Sequence, residues 1–600
     1  MAKKAQRKKK AAKRKEPAAA SSGAAASSRA AGSSGAAAPP VAGPLVAPPP
    51  SRAHRWVARA AVALAVALAF GRASLHPLLD GWDDDRFLTD NPLVQSVSGE
   101  HLATIWSAPH FQAYHPLHLL SYWLDVPWFG LDGPAIHLTS LLLWVLALWA
   151  LLEACWALGL GMLGGLAATL IVGLHPVQVE AVTWATGRKD VLALGFSALA
   201  LLANAKRERP WDRRAWLALI AYAAACLSKT TALPLPLVML AADVWLKRRP
   251  LRGAIVAQLP ALLFALSLGA VTVGIWSDAE MLRGQERDLA GRLALIGASL
   301  THHLSTALWP SALSPLYPID RGEGFGALAV LAGPLAVAVG LGYALRERRG
   351  ALAFALVSFL ALWAPVSNAL PVYFQWQDRY LSLPLVPLAF FVGALMDRFA
   401  ARAPRRWPAL AVAALAGLLG LRTAQYASVW SDRATLFGHA ASTQPASFYA
   451  WLQLGHARRD AGDADGALRA YERAIARQNL AVAHASMFYV IAQIDEREES
   501  LTPSRAESLA ARFGATLTDA DALRGFAGEL GGLGYRRAVM MALDYSLRLD
   551  PVDDTRLERA ASVQLARGQA WLSDYYVSRM SGPPSAPALL ERARRRAARE

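Results

Sequence analysis

Residues His175–Asp190 read HPVQVEAVTWATGRKD, between apolar runs at Leu166–Leu174 and Val191–Ala203. A charge at bilayer depth costs roughly 2.5–3.5 kcal/mol on insertion scales. A chain that is apolar on both sides of His175, Glu180, Arg188, Lys189 and Asp190 must therefore set them at a membrane end, in a watered cavity or at a working site. A solvated turn between two spans meets that demand, and so does a functional site. The stretch is long for a plain turn, and it also holds a Trp, a Gly and both charge signs.

Composition favours a membrane protein. The chain has 600 residues, 54% hydrophobic and 18% charged, and its mean hydropathy is +0.26. Many windows approach the ~20 apolar residues needed to cross a bilayer. The formal charge is +17, and basic residues crowd the first fifteen positions (KKAQRKKKAAKRK). A basic run invites a nucleic-acid reading. Beside membrane spans it is better read as a signal that holds the segment in the cytoplasm, so no nucleic-acid partner is expected. Cys155 and Cys226 fall in different apolar runs, which argues for packing rather than a disulfide or zinc site.

Three regions follow. Residues 1–51 are basic, then rich in Ala, Ser, Gly and Pro, and are expected to form a disordered cytoplasmic tail. Residues 52–425 carry eleven expected spans, near 56–74, 135–156, 161–176, 189–205, 213–228, 231–246, 253–275, 326–345, 351–366, 380–396 and 408–421. With the N-terminus inside, this count puts the basic clusters at 206–214, 247–252, 346–349 and 398–406 inside. It puts His175–Asp190 outside. The segment 291–313 is apolar but interrupted by His302, His303 and Pro310, and is expected to lie on the outer surface or re-enter there. Residues 426–600 read as a soluble helical domain. Trp451, Leu454, Gly455, Ala467, Tyr471 and Ala474 match one tetratricopeptide repeat, and 535–551 resembles a second half-repeat. The expected fold is thus all-α: a polytopic bundle of about eleven helices, then a repeat solenoid outside the membrane.

Several groups could do chemistry. Asp83, Asp84 and Asp85 follow the first span, and mutual repulsion can raise one pKa and make a base. Their Asp-x-Asp pattern also suits a divalent metal, but that arrangement serves nucleotide sugars, which are cytoplasmic, so metal is not favoured. His115 and His118 share a helical spacing, and Pro116 with the aromatic neighbours favours a structural role. Arg188, Lys189, Lys229 and Arg379 put cations on three outer turns, where they could bind phosphate or anchor helices at the interface. Asp190, Asp378 and Tyr380 flank these cations.

An acidic pair after the first span, YHPLHLLSYWLD (Tyr114–Asp125), HPVQVEAVTWATGRKD, LSKTTALPLPLVML, a Trp-Pro before Tyr317 and DRYLSLP occur in one order, followed by the repeats. Together, from Trp82 to Ala476, they resemble the transmembrane-and-tetratricopeptide-repeat protein O-mannosyltransferases, in a bacterial version. That resemblance implies a GT-C glycosyltransferase fold in a bacterial inner membrane. It implies inverting transfer of a sugar, mannose or another hexose, from a polyprenyl-phosphate donor to Ser or Thr hydroxyls of extracytoplasmic proteins docked on the repeats, without a cofactor. The family's acidic pair aligns with Asp83 and Asp84, either of which could be the base. Arg188, Lys189, Lys229 and Arg379 match its cations near the donor phosphate. Asp85, His115, His118, His175, Glu180, Asp190, Asp378 and Tyr380 would support them. A transferase of the same fold acting on an envelope lipid or polysaccharide, and a non-enzymatic scaffold, are the alternatives.

Overall fold

The computed structural model describes residues 50–278, 287–319, 324–370, 374–404, 406–478, 480–494, 503–532 and 535–597. Nearly all of the tail expected to be disordered lies outside the described residues. Regular structure in the rest is helical, apart from one isolated bridge between His110 and Ala113.

A helix occupies each of the eleven expected span positions. Five are long and apolar enough to cross a membrane: Arg52–Leu75, Gly133–Ala157, Leu251–Asp278, Ala327–Arg346 and Arg406–Ser431. Met162–Leu174 with Pro176–Thr183 passes the same test as a pair bent by 51°. The chain is accordingly a multi-pass membrane protein. Thr230–Leu246 and Gly350–Val366 are apolar but shorter. The bend at His175 has a local cause. Pro176 forces the residue before it out of the helical region, and His175 adopts φ −70° and ψ 132°. Its Nδ1 then accepts from the Val177 amide and starts the next turn.

Most of the segment 291–313, expected to lie on the outer surface or re-enter there, falls in the 20-residue helix Leu289–Leu308, packed against Ala327–Arg346. The contact is backbone to backbone. A Cβ on Gly297 would lie 2.3 Å from the Val330 carbonyl oxygen, and one on Gly333 would lie 2.7 Å from the Thr301 nitrogen. The helix buries Ser299 and His303.

The helices Met162–Leu174 and Leu385–Ala400 cross in the same way at Gly164 and Gly393. Asp397 accepts from the Gly161 and Gly164 amides at 2.6 and 2.8 Å, which satisfies open donors at the start of the first helix. One apolar core runs from Val62 to Val490 and so extends beyond the apolar bundle into the helices Arg433–Thr443, Phe448–Asp460 and Ala464–Arg477. In that hairpin a Cβ on Gly455 would meet the Tyr471 ring at 2.3 Å, so the small residue permits the helices to close. A second core gathers residues between Phe488 and Tyr575. Cys155 and Cys226 are buried and unbridged.

Gly393→Val should force apart the Gly164 crossing and lower stability by about 1–3 kcal/mol, read as thermal unfolding in detergent. Gly417→Ala, with open space at its Cβ, should leave the midpoint unchanged.

Candidate active site

The first loop reaches its place through Asp84, which is fully buried. Its Oδ2 accepts from the Leu79 amide at 2.9 Å. Its Oδ1 accepts from the Thr186 amide at 3.0 Å and the Thr186 hydroxyl at 2.7 Å. Both oxygens therefore clamp the loop to the Ala185–Gly187 turn. Burial pushes the Asp84 carboxyl up to about 7, against the pull of these donors.

Arg188 makes the second clamp. It is 0% exposed, its Nη2 lies 2.5 Å from Asp125, and it also donates to Ser140 and to the Ser121 and Ile136 carbonyls. Its guanidinium stands 4.5 Å from the Tyr122 ring centroid. A third clamp is Asp378, which accepts from Tyr317 at 2.7 Å, Tyr426 at 3.1 Å and the Ser314 amide at 3.1 Å. Burial, with Glu180 nearby, pushes this carboxyl up to about 8.

Between the clamps lies a charged cluster built on Trp184. The Lys189 ammonium and the Arg379 guanidinium sit 5.1 and 5.3 Å from its indole. Lys189 also lies within electrostatic reach of Lys229, Arg379, Asp83 and Asp190. Two of the three cations are paired: Arg379 with Glu180, and Lys229 with Asp190 at 2.5 Å. The side chains of Asp83 and Lys189 have no hydrogen-bonding or ion-pair partner among the described residues. Asp83 is partly exposed, and its backbone is left-handed at φ 67°, an unusual region for a residue with a Cβ. That turn carries it away from the position of its buried neighbour Asp84.

The cluster thus joins Asp83, Glu180, Lys189, Asp190, Lys229 and Arg379, residues from four separate stretches of chain. It does not include Arg188, which the sequence put beside Lys189 at the same phosphate. Adjacent residues diverge here: the Arg188 guanidinium is buried among Asp125, Ser140 and the Ser121 and Ile136 carbonyls. Nor is His175–Asp190 a solvated turn, since all of it except Lys189 is buried. His115 accepts from the Thr230 amide, and burial, with Lys189 and Lys229 nearby, pushes it down to about 3. His118 bonds Tyr122, His175 bonds the Ala307 carbonyl, and Tyr380 donates to the Phe374 carbonyl. Asp85 opens the turn Asp85–Thr89. Asp125, Trp184 and Thr186 carry no signal in the sequence as site residues beyond lying in the quoted motifs. Asp125 closes the Tyr114–Asp125 motif, and that was its only signal. Among the described residues no group of three or more His, Cys, Asp or Glu is placed to hold a metal ion.

No family model and no curated protein matches the chain. Among solved structures it is similar to ArnT from Cupriavidus metallidurans bound to undecaprenyl phosphate, at 14% identity and TM-score 0.32, covering 88% of this chain and 79% of that one. A likeness of that degree carries no weight for the fold or the function.

Arg188→Met should destabilise by about 3–5 kcal/mol by stranding the Asp125 charge, and Asp125→Asn in addition should recover part of the loss. Equal stability of wild type and Arg188→Met would disprove the clamp. Asp84→Ala should cost about 1–3 kcal/mol for each orphaned amide. Unfolded, this carboxyl titrates near ~3.9. The folded value is higher, so the native state binds the extra proton and wild-type stability falls as pH rises from about 4 to about 7. Unfolding midpoints across that range should show this slope weakened in Asp84→Ala.

Proposed function

We propose that the chain is a membrane glycosyltransferase that moves a sugar from a polyprenyl-phosphate donor to Ser or Thr hydroxyls of extracytoplasmic proteins. The carrying observation is the pairing pattern around Trp184: a partly exposed carboxylate, Asp83, beside Lys189, with Arg379 and Lys229 close by. Acceptor activation needs a base with a free oxygen. Asp83 has one, whereas both oxygens of Asp84 are bonded.

In this reading the acceptor hydroxyl attacks the anomeric carbon while Asp83 takes its proton. The bond from that carbon to the phosphate oxygen breaks on the opposite face, and the configuration inverts. The departing polyprenyl phosphate gains negative charge, which Lys189, Arg379 and Lys229 stabilise. Asp84, Arg188 and Asp378 act as positioning residues that hold the three loops in register.

The helix Arg433–Thr443, which leads into the helical hairpin beyond the apolar bundle, lies against the same loop. Trp82 meets Phe437 edge-on at 5.3 Å, and the Arg433 guanidinium stands over Gly81. A peptide held on tetratricopeptide-like hairpins there would reach Asp83 at a raised effective concentration. The basic clusters favour this face lying outside the cytoplasm, and the family resemblance implies a bacterial inner membrane.

Asp83→Asn should lower transfer at least about 100-fold with the fold and donor binding intact. Lys189→Gln and Arg379→Gln should weaken binding of the polyprenyl-phosphate sugar. Membranes containing each variant, supplied with labelled donor and a Ser/Thr peptide, provide the measurement. Full transfer by Asp83→Asn would sink the base assignment. Altered envelope glycans with unchanged protein glycans in a deletion strain would move the acceptor to a lipid or polysaccharide.

A further inference from the structure

A second polar feature lies where two basic turns meet. A cavity of about 220 Å³ is lined by Trp245, Arg248, Leu345, Arg348 and Gly350, among others. A water takes roughly 30 Å³ of liquid, so the space admits a phosphate group with its ester oxygens. The turns meet closely: a Cβ on Gly350 would lie 2.7 Å from the Trp245 carbonyl oxygen.

Both turns end a helix in the same way. Arg248 and Arg348 are each left-handed, at φ 52°. The next amide, of Arg249 or Arg349, reaches back to the carbonyl of Asp243 or Ala344. Glycine is the usual residue at such a position because a Cβ is crowded there. Here an arginine takes it twice, at two turns far apart in sequence that line one cavity. Both side chains are exposed, and neither has a hydrogen-bonding or ion-pair partner among the described residues. The nearby carboxylate of Asp243 is already engaged by Arg207 and Arg249.

The position on the helices narrows the ligand. Arg348 follows Ala327–Arg346, and Arg248 precedes Leu251–Asp278, both long and apolar enough to cross a membrane. The cavity therefore sits at the edge of the apolar layer, where lipid phosphates lie. Leu345, which lines it, is an exposed apolar side chain that suits an acyl chain. We propose that Arg248 and Arg348 form a site for the phosphate of an anionic membrane lipid, separate from the Trp184 cluster. Basic pockets between helix ends bind such head groups by charge and by forked guanidinium hydrogen bonds.

Glycine substitution gives a direct test, because Arg248→Gly with Arg348→Gly removes both cations while easing the backbone. Wild type, this double variant and Arg346→Ala are placed in phosphatidylcholine nanodiscs with and without phosphatidylglycerol. Phosphatidylglycerol should raise the wild-type and Arg346→Ala midpoints by at least about 2 °C and be retained in native mass spectra. The double variant should melt no lower than wild type in phosphatidylcholine, with no added shift. A shift from inorganic phosphate alone, lost in the double variant, supports the anion site with a free phosphate as its source. An undiminished phosphatidylglycerol shift in the double variant, or equal loss in Arg346→Ala, overturns the proposal.

Discussion

A guanidinium enclosed in protein is tolerable only when its nitrogens find acceptors, and each nitrogen of Arg188 has one. The Asp125 carboxylate, the Ser140 hydroxyl and two backbone carbonyls take its hydrogen bonds, while the Tyr122 ring covers its face. This contact fixes three stretches at once: the motif ending in Asp125, the start of the helix Gly133–Ala157, and the Gly187–Arg188 step. Everything at the charged cluster depends on that step. Lys189 and Trp184 lie on either side of it, and Thr186, which fastens the first loop through Asp84, immediately precedes it.

The clamps divide the acidic residues by environment. Asp84, Asp125 and Asp378 are enclosed and fully engaged, and each joins segments remote in sequence. Asp83 is the contrasting case. Its left-handed backbone carries its carboxylate away from the donors that hold Asp84. The charge balance around Trp184 follows from the same arrangement. Glu180 and Asp190 neutralise Arg379 and Lys229, which lowers the cost of gathering three cations in a small space. Lys189 is left to interact through the field and through two aromatic faces.

At the turn carrying Lys247–Arg249 a second group of charges forms a network of a different kind. Asp243 accepts from Arg207, Arg249 and Asn204, and Gln258 donates to Asn204, so the helices Arg188–Lys206 and Leu251–Asp278 are tied at that end. The helix Arg188–Lys206 thus carries a buried polar lock at each end and an apolar body between. This arrangement keeps charges out of the hydrocarbon layer while fixing the helix along its axis.

Much of the architecture was legible in the residues. Apolar periodicity marks helices at all eleven expected positions because a backbone in lipid must bond within itself. The Trp451–Gly455 and Ala467–Ala474 spacing locates a close helical hairpin because small residues have a defined packing task. Sequence also brought Asp83 and Asp84 together with Arg188, Lys189, Lys229 and Arg379, since charges beside apolar runs require a reason. It did not separate Asp83 from Asp84, or Lys189 from Arg188, because neighbours in sequence look alike until a fold decides which side faces a partner. Nor could it find the role of Asp125, whose partner stands 63 positions away. Composition and spacing determined that this chain is helical, membrane-spanning and charged at defined turns. Only the tertiary structure decided which of those charges are locked in pairs and which are left open, because that depends on contacts between segments remote in the chain.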